Sequence, residues 1–147
     1  MVLQRLTRKG LPVLAADTTV VIDERICGKP ANAEDAIAVL LQLSGRSHEV
    51  LTAVALAARG EVNHRLSRSV VRFRHLSLTE AIAYWNTGEP QDKAGSYAVQ
   101  GHGAAFVEHL SGSYSGVMGL PLFETAELLA AAGISYWLGN AVAGAPP

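Results

Sequence analysis

The apolar and polar positions along the first third of the chain predict strands joined by tight turns. VLAADTTVVID, residues 13–23, is almost continuously β-prone and apolar, which is typical of a buried strand. The polar DER at its end and the breakers Gly28 and Pro30 predict a hairpin. Farther along, two runs flank Gly60: HEVLTAVALAAR and EVNHRLSRSVVRFRHL. The second alternates apolar and polar residues only roughly, and together they predict a long antiparallel hairpin.

Two segments carry the start and stop signals of helices. Asn32 can cap a helix that has acidic residues in its first turn and ends at Gly45. Ser77 and Glu80 have the spacing of a capping box, and Gly88 is a natural end for the helix that follows. Both segments are therefore predicted helices.

The C-terminal half changes from a glycine-rich stretch to a third helix. The glycine-rich stretch mixes short β-prone pieces with glycines that let the backbone approach a ligand. Its sequence is DKAGSYAVQGHGAAFVEHLSGSYSGVMGLP. Leu122 to Ala132 are predicted to form an amphipathic helix, followed by a short strand at Ile134 to Leu138 and a frayed GAPP tail. The opening MVLQRLTRKG resembles the end of an amphipathic helix. Hairpin strands with helices between them favour a mixed-sheet α/β or α+β domain.

Composition narrows the class of protein. At 147 residues, with 49% hydrophobic and 17% charged residues, the chain suits one globular domain. A formal net charge of −1 with scattered Lys and Arg argues against nucleic acid or an acidic membrane as a partner. No apolar run reaches the ~20 residues needed to span a bilayer. The single cysteine, Cys27, excludes an intramolecular disulfide and predicts a reducing compartment, the cytoplasm.

Asp17 is the first candidate for chemistry. A carboxylate in an apolar strand is costly unless it meets a proton, a cation or several donors. On a strand that lines a cleft it could hold Mg²⁺ or accept a proton from water. The alternative is a structural aspartate tied to hydroxyls at a strand bend, with Thr18 and Thr19 present only as good strand formers.

Two lysines near glycines are candidates for binding an anion. Lys29 lies in the turn GKP, where its ammonium could meet a phosphate, although a solvent-exposed turn lysine is the commoner case. The glycine-rich run contains Asp92, Lys93, Gln100 and His102, and its backbone N–H groups could face an anion or a base edge. The alternative is a glycine-punctuated hairpin with Lys93 in solvent. The run lacks the spacing of a P-loop.

Metal and nucleophile signatures are weak elsewhere. The five histidines show no ligand-type pairing, so zinc is not expected. Neither Ser111-Gly112-Ser113 nor Ser115-Gly116 forms the nucleophile elbow of a serine hydrolase. Cys27 is interpreted as a small apolar filler rather than a thiol nucleophile.

Five segments, taken in order, resemble those of a known family. Over about residues 13–133 the chain resembles the Maf family of nucleoside triphosphate pyrophosphatases. The segments that carry the resemblance are AADTTVV, GKP, LSGRSHEVLTAVAL, DKAGSYAVQGHGAAFVEHLSGSYSGVMGLPL and the terminal helix. The resemblance implies an α/β fold related to inosine triphosphate pyrophosphatases, with an elongated mixed sheet, flanking helices and two lobes around a central cleft. It also implies a homodimer.

The resemblance further implies hydrolysis of a nucleotide's α–β phosphoanhydride bond to a monophosphate and pyrophosphate, with a divalent metal, Mg²⁺ or Mn²⁺. Asp17 would be the proton acceptor and lie at the metal, Thr18 and Gln100 would select the base, and Lys29 would contact the substrate or metal region. Lys93 joins this set as a second candidate for binding substrate. DKAGSYAVQG is similar to the subgroup that acts on dTTP and UTP. A glutamine amide, which both donates and accepts, suits the O/N–H edge of thymine or uracil.

The family pattern includes an N-terminal Ser-x-Ser-Pro-Arg-Arg loop that does not occur in these residues. Residues 1–147 are therefore interpreted as a single Maf-like domain, N-terminally truncated relative to the family. One alternative function is that of a catalytically impaired nucleotide-binding or protein-interaction remnant. A different explanation is that a native form of the chain carries the segment with the Ser-x-Ser-Pro-Arg-Arg loop.

Overall fold

The computed structural model describes residues 10–137, and its centre is one five-stranded sheet. The strands run in the spatial order β2-β1-β3-β4-β5, and every neighbouring pair is antiparallel. Their bounds are Val13–Ile22 (β1), Arg25–Cys27 (β2), Ser47–Ala58 (β3), Glu61–Phe73 (β4) and Val107–Ser111 (β5). The α/β class and the sheet with flanking helices are confirmed. The parallel pairing that a mixed sheet requires is not found among residues 10–137.

Both predicted hairpins are confirmed, and their turns have the backbone conformation that tight hairpins need. Asp23 and Glu24 connect β1 to β2 with φ of 50° and 60°. Arg59 and Gly60 connect β3 to β4 with φ of 52° and 80°. Positive φ at both central residues matches the right-handed twist of the flanking strands, so these short turns fix the register of each pair.

Four α-helices accompany the sheet. Their bounds are Ala33–Leu43 (α1), Leu78–Asn86 (α2), Tyr114–Met118 (α3) and Leu122–Ala131 (α4). The predicted caps of the first two are confirmed: the Asn32 side chain accepts from the Asp35 N–H, and Ser77 and Glu80 form a complete capping box. Before β5, where short β-prone pieces were expected, the chain forms three short 3₁₀ turns. They are Glu89–Asp92, Ala94–Ser96 and His102–Phe106.

The strand predicted at Ile134 to Leu138 is wrong for residues 134–137, which are irregular. Gly133 adopts a left-handed φ of 70°, and the Ile134 N–H donates to the carbonyl of Leu129 at 2.9 Å. This arrangement ends α4 in the manner of a Schellman motif and turns Ile134 onto the core. Leu138, the GAPP tail and the predicted helix end at residues 1–9 lie outside the described residues.

One face of the sheet carries two separate hydrophobic clusters. The larger lies between the sheet and α1, α2 and the 3₁₀ turns, and its buried side chains include Leu40, Phe73 and Tyr84. The smaller lies under α4, where Val54, Leu56 and Leu128 pack together. These clusters give the molecule two lobes that share one sheet.

A row of hydroxyl side chains separates the two clusters. Thr18, Thr52 and Ser67 are cross-strand partners on β1, β3 and β4, so all three point to the same face. The short helix α3 lies over this row, and the carbonyl oxygen of its Gly116 accepts from the Thr52 hydroxyl at 2.6 Å. The sheet therefore changes from apolar to polar where the lobes meet.

The first half of β1 is less buried than its apolar sequence suggests. Strand β2 pairs only with Val20–Ile22, so among the described residues the outer edge of the preceding part of β1 has no strand partner. Asp17 is exposed there, as is Leu14, which is 39% exposed. The expectation of a buried Asp17 is wrong, because periodicity cannot show that a strand's neighbour ends halfway along it.

The opposite face of the sheet is largely uncovered by the described residues. Val62, Leu66 and Val70 occupy every fourth position of β4 on this face and are 57%, 57% and 41% exposed. No helix in the described part of the chain is long and apolar enough to cross a membrane.

Candidate active site

A cleft at the free edge of β1 is lined by the five residues that were assigned from the sequence to catalysis and substrate binding. Asp17, Thr18, Lys29, Lys93 and Gln100 line it. They come from a strand, from the turn after β2 and from the loops around the 3₁₀ turns. The cleft has a volume of about 210 Å³. Pockets that bury most of a drug-sized ligand measure roughly 300–1,000 Å³, so this cleft can enclose only part of a nucleotide.

The two lysines reach the same cleft because their loops are joined. The Gly95 N–H donates to the carbonyl of Gly28 at 3.2 Å, which ties the DKAG loop to the GKP turn. Gly95 has a φ of 71°, and a Cβ there would lie 2.7 Å from Cγ2 of Val20. Only glycine therefore allows this loop to pack on β1, and with it Lys93 lines the same cleft as Lys29.

Charges of both signs line the cleft. Lys93 Nζ lies 3.6 Å from Oδ1 of Asp92, which also lines it, and the two side chains are 37% and 76% exposed. Such an exposed pair contributes little to stability, because solvent screens it and both side chains lose freedom. The lysine is therefore available to a more highly charged anion.

The hydroxyl of Thr18 has a defined donor direction. The Thr52 hydroxyl has one proton, which it donates to the carbonyl of Gly116. Thr18 Oγ1 lies 2.9 Å from Thr52 Oγ1, so Thr18 must be the donor in that pair. Its remaining lone pairs are free to accept a hydrogen bond in the cleft.

Gln100 lies in a turn that also lines the cleft. The Gly101 N–H donates to the carbonyl of Ala98 at 3.3 Å and closes this turn. The Gln100 side chain is exposed, so its amide can both donate to and accept from a ligand. Met118 of α3 also lines the cleft and adds apolar surface to it.

Sequence reasoning missed a buried pair beneath the cleft. Tyr97 lines the cleft, and its hydroxyl lies 2.7 Å from Nε2 of His48. Burial lowers the pKa of His48 to about 4 and raises the pKa of Tyr97. His48 is therefore neutral at pH 7 and supports Tyr97 without adding charge. The two residues are 49 positions apart in the sequence, so no local pattern connects them.

Two other residues considered from the sequence lie away from the cleft. His102 lines a separate, shallow apolar pocket beside α2. Cys27 is only 7% exposed, and burial raises the pKa of its thiol, which disfavours the reactive thiolate.

The oxygen ligands of the cleft suit a metal shared with a substrate. No group of three or more His, Cys, Asp or Glu side chains within residues 10–137 is arranged to hold a metal ion. Asp17 and Asp92 nevertheless both line the cleft. Mg²⁺ is usually bound through one or two carboxylates together with substrate phosphates, and Asp17 and Asp92 supply ligands of this type at the cleft.

Comparisons with known proteins connect this geometry to a family. A family model described as Maf-like protein matches residues 1–132. A dTTP/UTP pyrophosphatase of Saccharophagus degradans is 54% identical over 129 residues, which are 88% of this chain and 61% of that protein. A dTTP/UTP pyrophosphatase of Nitrosomonas europaea is 56% identical over 134 residues, 89% of this chain and 65% of its own length.

A third relative, a dTTP/UTP pyrophosphatase of Alkalilimnicola ehrlichii, is 59% identical over 122 residues, which cover 83% of this chain and 60% of that protein. The chain thus spans between 60% and 65% of the length of these three curated relatives. The match to the family model extends through β1, both lysine loops and the Gln100 turn. The chain therefore belongs to the Maf family.

Proposed function

We propose that the chain hydrolyses dTTP and UTP to the nucleoside monophosphate and pyrophosphate. The observation that carries this proposal is the single cleft that collects Asp17, Thr18, Lys29, Lys93 and Gln100. Three relatives at 54–59% identity, each named dTTP/UTP pyrophosphatase, support the substrate class.

The proposed reaction requires little covalent chemistry from the protein. Water attacks the α-phosphorus, the bond from that phosphorus to the bridging oxygen breaks, and pyrophosphate leaves. Asp17 accepts the proton of the attacking water, a role for which an exposed carboxylate at the cleft is suited. Lys29 and Lys93 offset the negative charge of the triphosphate.

A divalent metal, Mg²⁺ or Mn²⁺, belongs to the proposal. Bound near Asp17 and the substrate phosphates, it would neutralise phosphate charge and lower the pKa of a water molecule. The protein's own part is to hold the carboxylates of Asp17 and Asp92 at the cleft.

The proposed base selection follows from hydrogen-bond direction. Uracil and thymine present an N–H donor between two carbonyl acceptors. The free lone pairs of Thr18 and the amide oxygen of Gln100 can accept from that N–H, and the Gln100 amide N–H₂ can donate to a carbonyl. Cytosine presents an acceptor at the same ring position and an amino group beside it. A site built to accept from N–H therefore disfavours cytosine.

The oligomeric state and the compartment are further parts of the proposal. A homodimer would cover some of the exposed apolar side chains on the open sheet face, among them Leu66. The single Cys27, buried and reduced, fits a reducing compartment such as the cytoplasm.

The proposal is tested by incubating the chain with Mg²⁺ or Mn²⁺ and a panel of nucleoside triphosphates. Release of pyrophosphate and a monophosphate from dTTP and UTP, and much less from CTP, is expected. Release of inorganic phosphate and a diphosphate would place the cleavage at the wrong bond. Binding of UTP with no turnover would contradict the enzymatic proposal and favour a nucleotide-binding remnant.

A further inference from the structure

Glu89, which does not line the cleft, is hydrogen-bonded to the loop that carries Gln100. Its Oε1 accepts the N–H of His102 at 2.9 Å, and its Oε2 accepts the N–H of Gly103 at 3.0 Å. The hydroxyl of Tyr84 also donates to Oε2. One carboxylate thus satisfies three donors, two of them on the backbone just after Gln100.

Tyr84 connects the same carboxylate to the other end of the loop. Its hydroxyl oxygen accepts the N–H of Ala98 at 3.0 Å, while its proton is directed to Glu89. Tyr84 and Glu89 therefore hold the loop both before and after Gln100, and we refer to these two residues as the loop clamp.

Two glycines, which have no Cβ, make room for the side chains of the loop clamp. A Cβ at Gly101 would lie 1.7 Å from Oε1 of Glu89. A Cβ at Gly103 would lie 2.6 Å from the carbonyl oxygen of Ala98 and 2.7 Å from the Tyr84 hydroxyl. Neither glycine has a positive φ, so both are required by the close approach of the clamp rather than by their backbone conformation. The glycines of the QGHG segment thus serve these hydrogen bonds.

Electrostatics keep the Glu89 carboxyl in the form that accepts all three bonds. Burial acts to raise the pKa of Glu89, but the hydrogen bonds from Tyr84, Gly103 and His102 together hold it below its ordinary value. Burial and the hydrogen bond to this carboxylate raise the pKa of Tyr84. At neutral pH the clamp therefore pairs an anionic acceptor with a neutral phenol.

We propose that Glu89 is a positioning residue for base selection, acting with Tyr84 through the Ala98–Gly103 loop to hold Gln100 against the pyrimidine. This inference rests on the proposed function, because it assumes that Gln100 meets a uracil or thymine base. It adds a role for a carboxylate that touches neither the phosphates nor the base.

The test is a Glu89→Gln variant, which keeps the size of the side chain. One of its two terminal atoms becomes an N–H₂ group that cannot accept, so the three donors can no longer all be satisfied. The measurement is calorimetric binding, with Mg²⁺, of UTP and CTP analogues whose α–β bridging oxygen is replaced by a methylene group. Such analogues bind without being cleaved.

Glu89→Gln is expected to weaken binding of the UTP analogue about tenfold, with a much smaller change for the CTP analogue. Glu80→Gln is the matched control. Glu80 also accepts backbone and side-chain donors at α2, but it contacts Ser77 and Arg74 rather than the loop. The control should leave the ratio of the two affinities unchanged.

A double variant separates positioning from general stability. If Glu89 acts through Gln100, Gln100→Ala should remove the UTP preference, and adding Glu89→Gln should cause little further loss. Tyr84→Phe, which removes a single hydroxyl, should shift the ratio of the UTP-analogue and CTP-analogue affinities in the same direction. It replaces Glu89→Gln in the test if that variant does not fold.

Three results would overturn the inference. They are an affinity ratio that is unchanged in both Glu89→Gln and Tyr84→Phe, a full additional loss when Glu89→Gln is added to Gln100→Ala, and failure of the unaltered chain to prefer the UTP analogue. Pyrophosphate release from UTP is measured in parallel. Its absence, with the binding preference intact, would contradict the proposed reaction while leaving the role of Glu89 supported.

Discussion

At the scale of single residues, the cleft depends on how ordinary side chains are oriented. Thr18 donates its only hydroxyl hydrogen bond to Thr52, so the Thr18 oxygen can act in the cleft only as an acceptor. Tyr97 is held by a neutral, buried His48. These properties follow from partners that are distant in the sequence, so residue type alone does not reveal them.

The buried histidine predicts a pH dependence of stability. His48 is 3% exposed, and burial lowers its pKa from 6.5 to about 4. Between these values the unfolded chain binds the proton more readily than the folded chain does. Stability should therefore be lost as the pH falls from about 6.5 to about 4, and His48 should account for about 2 kcal/mol between pH 7 and pH 5.

Urea unfolding at pH 7 and pH 5 measures this loss. His48→Gln removes the titrating group, so its free energy of unfolding should fall less between the two pH values than that of the unaltered chain. His109→Gln, at an exposed position, should behave like the unaltered chain. Equal losses in the unaltered chain and in His48→Gln would contradict the explanation.

At the scale of elements, the cleft exists because two loops pack on one strand. The loop at Gly95 rests on Val20 of β1 and is hydrogen-bonded to Gly28. This contact brings Lys93 to the same cleft as Lys29.

Substituting two glycines distinguishes the stability cost of backbone strain from the cost of disturbing this close packing. Gly95→Ala should destabilise the chain more than Gly88→Ala, by about 1–3 kcal/mol, because the new methyl group would overlap Val20. Gly88 has a similar φ of 79° but nothing within 4 Å of its Cβ position, so its substitution costs only the strain. Urea unfolding measures both, and equal losses would show that the packing contact is unimportant.

The elements with strong local signals were predictable, and those fixed by tertiary contacts were not. Helix α1 follows from the Asn32 cap and α2 from the capping box of Ser77 and Glu80. The five-residue α3 is too short for a periodic pattern and depends on contacts such as that between Gly116 and Thr52.

The site itself was predicted mainly through the family resemblance. The four residues named from it, Asp17, Thr18, Lys29 and Gln100, line one cleft together with Lys93, which came from the glycine-rich run. The roles of Glu89 and Tyr84 could not be read from the sequence, because they depend on hydrogen bonds to backbone 14 residues away.

At the scale of the whole molecule, the sheet has one packed and one open face. Both hydrophobic clusters lie on the packed face with the helices. On the open face, Val62, Leu66 and Val70 are exposed, with His64 and Arg68 between them along the strand.

This open face predicts self-association of the isolated chain. Sedimentation velocity should show a dimer at micromolar concentration, and Leu66→Lys should shift it towards monomer, because a charge would have to be buried. Arg68→Lys, on the same face, conserves charge and should leave association unchanged. A monomer at every concentration would contradict the proposed homodimer.

If the cleft at Asp17 is the active site of a pyrophosphatase, Asp17→Asn should remove the residue that accepts the proton from water. The measurement is the rate of pyrophosphate release from UTP with Mg²⁺, beside binding of the uncleavable UTP analogue. Glu49→Gln, on the neighbouring strand and outside the cleft, is the control. We expect Asp17→Asn to slow release roughly 100-fold or more while the analogue still binds, as expected for loss of a general base, and Glu49→Gln to leave the rate unchanged. An Asp17→Asn rate close to that of the unaltered chain would contradict the account.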